Sequence, residues 1–196
     1  MNVKSKSKKY DWEVLMMPIG LLMTEHRLIE RLVLVIIKQS DRIQQDKLAD
    51  IDFVDNCIDF IKTYTDMCHH GKEEAILFRE LKTKKLSVEH DKILAELITQ
   101  HNAVRELSEK LVIIRNSYFN SAGEAEKQIY AFEIYENLKQ LTELYPAHIK
   151  KEEMKLFNEC MGYFTDAERA KILNEFLEFD RELIHKKYKE MVLSFE

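Results

Sequence analysis

Apolar residues recur every three to four positions in five long stretches of this chain, at about 19–46, 51–84, 88–118, 124–162 and 166–193, called α1 to α5. In α1 the stripe runs through Ile19, Leu22, Ile29, Val33 and Ile37, and in α2 through Val54, Ile58, Ile61 and Ile76. Each stripe marks a helix that turns one face to a common core. Capping residues fall where the stripes begin: Asp50 or Asp52 before α2, Ser87 before α3, and Thr165 with Glu168, a capping box, at the start of α5. The link between α3 and α4 contains Ser121, Ala122 and Gly123. Connections this short make successive helices antiparallel, which predicts an all-α, up-and-down four-helix bundle with an additional C-terminal helix. Pro146 removes one backbone donor and is expected to kink α4 just ahead of His148.

Composition agrees with long helices, since 196 residues include only four glycines and two prolines. The expected organisation is a flexible basic tail over residues 1–10 and a single helical domain over 11–196, with its bundle core at about 19–162. A formal charge of −5 argues against nucleic acid as a partner despite the lysine-rich start from Lys4 to Lys9. No apolar run approaches the roughly 20 residues of a membrane span, and the polar start lacks a signal-peptide core, so no membrane partner and a cytoplasmic location are expected. Cys57, Cys68 and Cys160 lie within helical pattern and read as reduced, small core residues.

Histidine placement changes the picture. His26 lies between Leu22 and Ile29, and His101 follows Leu94 and Leu97 and precedes Val104, positions where a core helix ordinarily carries leucine. In α2, HHGKEEAILF from His69 to Phe78 is echoed in α4 by HIKKEEMKLF from His148 to Phe157, with His, Lys, Glu, Glu, Leu and Phe at corresponding places. His69 and Glu73 are four residues apart, as are His148 and Glu152, so each pair projects from one helix face and can grip one ion. A lone buried histidine is more often a hydrogen-bonded core residue than a ligand. Four of them require a joint explanation. Residues at one height in an antiparallel hairpin are equidistant from the turn, and the midpoints of His26 with His69, His69 with His101, and His101 with His148 fall at or beside the connections. The four imidazoles are therefore expected in one layer across the bundle. Such a layer with two carboxylates exceeds one tetrahedral zinc, and no Cys-x-x-Cys pattern accompanies it. Two ions fit better, and mixed nitrogen and oxygen donors with bridging glutamates suit iron or manganese, with iron the first choice. The Glu-x-x-His spacing of ferritin-like di-iron bundles is absent here.

Taken in order, LLMTEHRLIE in α1, CHHGKEEAILF in α2, QHNAVREL in α3 and HIKKEEMKLF in α4 resemble a hemerythrin-like, HHE cation-binding domain over about residues 19–160. The resemblance implies that His26, His69, His101 and His148 are terminal iron ligands. It implies that Glu73 and Glu152 bridge two iron ions joined by an oxo or hydroxo group, with another divalent metal as the alternative in isolated protein. The sequence departs from oxygen-carrying hemerythrins at Arg105, where those have a second α3 histidine. Two readings then stand for His70: an extra ligand, as in some hemerythrin-like domains, or a solvent-facing ring about 100° round the helix.

The implied function is a metal-binding protein rather than a dedicated enzyme, one that binds or senses a small diatomic or peroxide ligand (O2, NO or peroxide). Two alternatives remain open: a di-iron peroxidase or iron donor for repair of iron centres, and a metal-free helical adaptor with a polar histidine layer. A monomer or dimer is expected, and the sequence specifies no protein partner. Among the remaining residues, His185 passes the height test against His148 but lies off the α5 stripe. His90 lies about 16 Å along α3 from His101 and reads as solvated. Glu74 and Glu153 read first as surface charges and second as partners of imidazoles. Tyr64 and Tyr145 read as packing aromatics near the site, and Glu30 as an outer partner of His26.

Overall fold

The computed structural model describes residues 17–193, with side chains placed through residue 183. The tail at 1–10 and the His185 side chain lie outside the described residues. All regular structure among the described residues is helical. Helix α1 spans Pro18–Asp46, α3 spans Val88–Phe119, and α5 spans Asp166–Leu193. Helix α2 starts as α-helix over Ile51–Asp59, widens to π-helix over Phe60–His70 and again over Glu73–Phe78, and closes with Arg79–Leu81. Helix α4 is α-helical over Glu124–Lys151, π-helical over Glu152–Phe157, and ends through Asn158–Cys160 and a 3-10 turn at Met161–Tyr163. It runs on through Pro146, and its widening comes later, at the glutamates.

The caps explain where the helices start. Asp50 accepts from the Phe53 N–H at 3.2 Å, and Ser87 accepts from the His90 N–H at 3.1 Å. Thr165 and Glu168 form the reciprocal box: the Glu168 carboxylate accepts from the Thr165 N–H at 2.8 Å, and the Thr165 hydroxyl accepts from the Glu168 N–H at 3.3 Å. At the far end of α1, Lys47 adopts a left-handed φ of 56°, and its N–H closes on the Ile43 carbonyl at 2.9 Å.

The first four helices form the bundle, with α4 packed against both α1 and α3, and α2 packed against α3 and α1. Its interior is divided. One apolar cluster holds Ile29, Val33, Ile36, Val54, Ile61, Val104, Leu111, Ile134, Leu138 and Tyr145, and a second holds Leu22, Leu77, Phe78, Leu94, Leu97, Leu156 and Phe157. His26, His69, His101 and His148 each lie between a residue of one cluster and a residue of the other along their helices, so a polar layer separates two hydrophobic ones. Helix α5 docks on α1 and α2 and adds Ile172 and Phe176 to the second cluster. It crosses α2 at Gly71, where an added Cβ would lie 2.8 Å from the Phe179 ring. No helix among the described residues is long and apolar enough to cross a membrane.

Two expectations change. The α1 stripe passes through Ile36, fully buried, and leaves Ile37 44% exposed, because the buried positions alternate steps of three and four, through Ile29, Val33, Ile36, Ser40 and Ile43, so the step after Val33 is three. His90 is buried, not solvated: its Nδ1 lies 2.9 Å from the Tyr163 hydroxyl, which also accepts from the Ser87 N–H at 3.1 Å. His90 does stand apart from the layer, as its distance along α3 requires, but the end of α4 covers it.

In metal-free protein, Ser87→Ala is expected to cost about 1 kcal/mol through the lost cap. Leu138→Ala, which opens a cavity in the first cluster, is expected to cost about 2–5 kcal/mol. Urea denaturation checks both, and the ordering fails if the cap variant is the weaker of the two.

Candidate metal centre

Residues from four helices reach the polar layer. His26 comes from α1, His69, His70 and Glu73 from α2, His101 from α3, and His148 and Glu152 from α4, and each is 2% exposed or less. The solvent-facing reading of His70 is therefore set aside. Adjacent residues diverge by about 100° on an α-helix, but the π-helical stretch that ends at His70 turns less per residue. It carries both His69 and His70 inward. The His70 ring stacks on His101 with centroids 3.8 Å apart and planes 12° from parallel, and meets His148 edge-on at 5.7 Å.

The donor atoms form two overlapping groups. His26, His69, Glu73 and Glu152 offer ligand atoms within 4.8 Å of one another, as do His70, Glu73, His101 and His148. Glu73 belongs to both. Glu152 also spans them, with one oxygen 3.1 Å from His26 Nε2 and the other 3.1 Å from His148 Nε2. These approaches lack hydrogen-bonding geometry. Nε2 of His26, His69, His101 and His148 and both oxygens of Glu73 and Glu152 are buried with no hydrogen-bond partner. Each unmet buried group costs about 1–3 kcal/mol. Eight in one layer, all nitrogen or carboxylate donors facing a common space, is the arrangement that cations satisfy. The residues present therefore fit the metal that the donor set implies.

The opposite edge of every ring is held. His26 Nδ1 meets Glu153 at 3.0 Å, His69 Nδ1 meets Glu25 at 2.9 Å, His101 Nδ1 meets Glu74 at 2.6 Å, and His148 Nδ1 meets Gln100 at 3.0 Å. His70 Nδ1 lies 3.4 Å from Asp66. An acceptor on Nδ1 places the proton there and turns the Nε2 lone pair toward the centre, the usual support of a metal-bound imidazole. Glu74 and Glu153, read first as surface charges, thus hold imidazoles. In each Glu-Glu pair of the α2/α4 echo, the first carboxylate enters the layer and the second reaches the histidine of a neighbouring helix.

Cations fasten these acceptors in turn. Arg105 donates to Asp66 and to Glu74, both at 2.8 Å, so the residue that replaces a second α3 histidine steadies the partners of His70 and His101. Arg27 holds Glu153, and the fully buried Lys72 holds Glu25 and donates to Asp180 of α5 at 2.7 Å. Glu30 pairs with Arg27 at 2.7 Å, while the His26 Nδ1 position is taken by Glu153. Tyr145 is buried beside Thr65, while half-buried Tyr64 lines a cavity of about 650 Å³ with Glu25, Cys68 and Asp180. The three cysteines are free thiols.

The electrostatics favour added positive charge. Burial alone would lower the pKa of His26, but Glu152, Glu153 and Glu73 outweigh it and raise the value to about 9. For His101 the same contest, against Glu152, Glu73 and Glu74, ends at about 11. Burial and the neighbouring imidazoles push His70 well below its ordinary value, which leaves it neutral with a free lone pair. Burial acts to raise Glu152, yet His148, His101 and His26 hold it well below the carboxylate range.

Sequence reasoning brought His26, His69, Glu73, His101, His148 and Glu152 together, and the structure places all of them in the layer with His70. It missed Glu25, Gln100, Asp66 and Lys72. Glu25 and Gln100 immediately precede layer histidines, and Asp66 lies four residues before His70, but only cross-helix packing gives those positions a partner.

Neither a curated protein nor a solved structure matches the chain. The hemerythrin HHE cation-binding domain family matches residues 17–160, which covers the four helices that build the layer and leaves out α5. The chain belongs to the hemerythrin HHE cation-binding domain family.

Proposed function

We propose that this protein holds two iron ions in the polar layer and binds or senses a small oxidant or diatomic molecule there. The observation that carries this reading is the set of eight buried, unpartnered donor atoms that fall into two groups sharing Glu73. His26 and His69 would hold one ion and His70, His101 and His148 the other, with Glu73 and Glu152 offering carboxylate oxygens to both groups. Of the two groups, the one with His26 and His69 offers one imidazole fewer. Iron bound there supplies a redox-active centre at which O2, NO or a peroxide can coordinate. The protein's own groups orient the imidazoles through Nδ1 and exclude bulk water with the apolar clusters above and below. Phe157 lies parallel to the His26 ring at 5.7 Å, and Phe78 lies nearly parallel to the His101 ring at 6.0 Å.

A metal-free adaptor would leave those eight atoms unsatisfied, which weighs against that alternative. Peroxidase action and iron donation use the same centre and differ in the step after binding. The fate of added peroxide and the rate of iron transfer to an acceptor separate them.

Three outcomes are expected. Protein from iron-fed cells should carry about two irons per chain with near-ultraviolet ligand-to-metal bands, and His148→Ala should lose the bands. Full thermal stability after chelation would instead support the adaptor. Arg105→Gln frees Asp66 and Glu74 together, and should weaken metal retention by about 10–100-fold in a chelator competition. Metal-free His26 and His101 hold protons below about 9 and about 11, and an ion must displace them. Loading at pH 7 should therefore release about two protons, and affinity should rise with pH. A titration in weakly buffered solution that shows no acidification counts against this.

A further inference from the structure

Helix α5 lies beyond the matched family region, yet one of its side chains connects to the centre. Asp180 receives the Lys72 ammonium on both oxygens, at 2.7 and 3.0 Å. Lys72 is fully buried, so its charge relies on the carboxylates it touches, Asp180 and Glu25. Glu25 accepts from His69 Nδ1 through its other oxygen. The Cys68 thiol also donates to Asp180, at 3.2 Å. A continuous chain of charged contacts thus runs from α5 through α2 and α1 to one imidazole of the layer. The other ion group has different supports: Arg105 steadies the acceptors of His70 and His101, and Gln100 serves His148.

We propose that Asp180 is a positioning residue for one half of the centre, acting through Lys72 and Glu25 on His69, so that α5 sets the hold on the His26/His69 ion alone. The direction follows from charge. With Asp180 in place, the ammonium divides its pull between two carboxylates. With that charge removed, Lys72 leans wholly on Glu25 and draws its negative charge away from His69. The imidazole becomes a poorer donor, and the ion beside it is held less firmly. Anything that displaces α5 therefore loosens the His26/His69 half first.

This proposal rests on the two-ion reading, and its test separates the two. Asp180→Asn keeps the shape of the side chain and removes its charge. Metal per chain is measured against graded chelator for the wild type, Asp180→Asn and Glu175→Gln. Glu175 also ties α5 to the bundle, through Arg79 at 2.6 Å, but touches nothing in the relay. The expected result is that Asp180→Asn releases one ion at roughly tenfold lower chelator and keeps the other, while Glu175→Gln behaves as wild type. Equal loss of both ions, no change, or the same loss in Glu175→Gln overturns the proposal. A second readout needs no metal: the imidazole nitrogen resonances of His69 in metal-free protein should shift in Asp180→Asn while those of His148 stay in place. If no metal binds to any variant, the two-ion reading fails, and the His69 resonance alone decides whether the relay exists.

Discussion

Taking two carboxylates and four imidazole edges out of water, and giving them no partner in the protein, opposes folding at every one of those atoms. The bundle accepts that arrangement in its centre and shapes the rest of the interior around it. Apolar residues are confined to two clusters, one on each side of the layer. The donors cannot reach solvent, and their mutual repulsion is relieved by protons on His26 and His101 or by cations between them. Metal binding and packing of the bundle are therefore coupled parts of one balance.

Holding the donors inward requires support from outside the layer. Every imidazole is held at Nδ1 by a residue of another turn or another helix, and all but one of those acceptors is tied to a cation. The supports cross between helices: Glu74 of α2 serves His101 of α3, Glu153 of α4 serves His26 of α1, and Glu25 of α1 serves His69 of α2. Ring orientation is thus a property of the assembled bundle, and a change in helix docking alters it. Arg105 illustrates the economy of the design. Where oxygen carriers have a further histidine, this chain has a guanidinium that braces two acceptors at once, while the π-helical turn of α2 brings in His70.

The internal echo between α2 and α4 has a structural basis. Both copies become π-helical at their paired glutamates, both send the first glutamate into the layer and the second to a neighbour, and both end on a phenylalanine that covers a histidine ring. The lysine of the echo diverges: Lys72 is buried between α1 and α5, whereas Lys151 reaches Glu96 on the surface of α3 at 2.8 Å. The copy that faces α5 acquired an interior ion pair, and the copy that faces α3 did not.

The sequence by itself determined the helices, their caps, the up-and-down order and the depth at which the histidines meet. These follow from local periodicity and from equal distances to short turns, and both are written along the chain. Tertiary structure alone decided which way His70 points, because a π-helical turn has no clear signature in apolar spacing. It alone decided that His90 is covered by Tyr163, that Glu74 and Glu153 face imidazoles, and that Lys72 joins Asp180 to Glu25. Each of these depends on the side chain presented by a different helix at the same height, which a pattern along one helix does not encode.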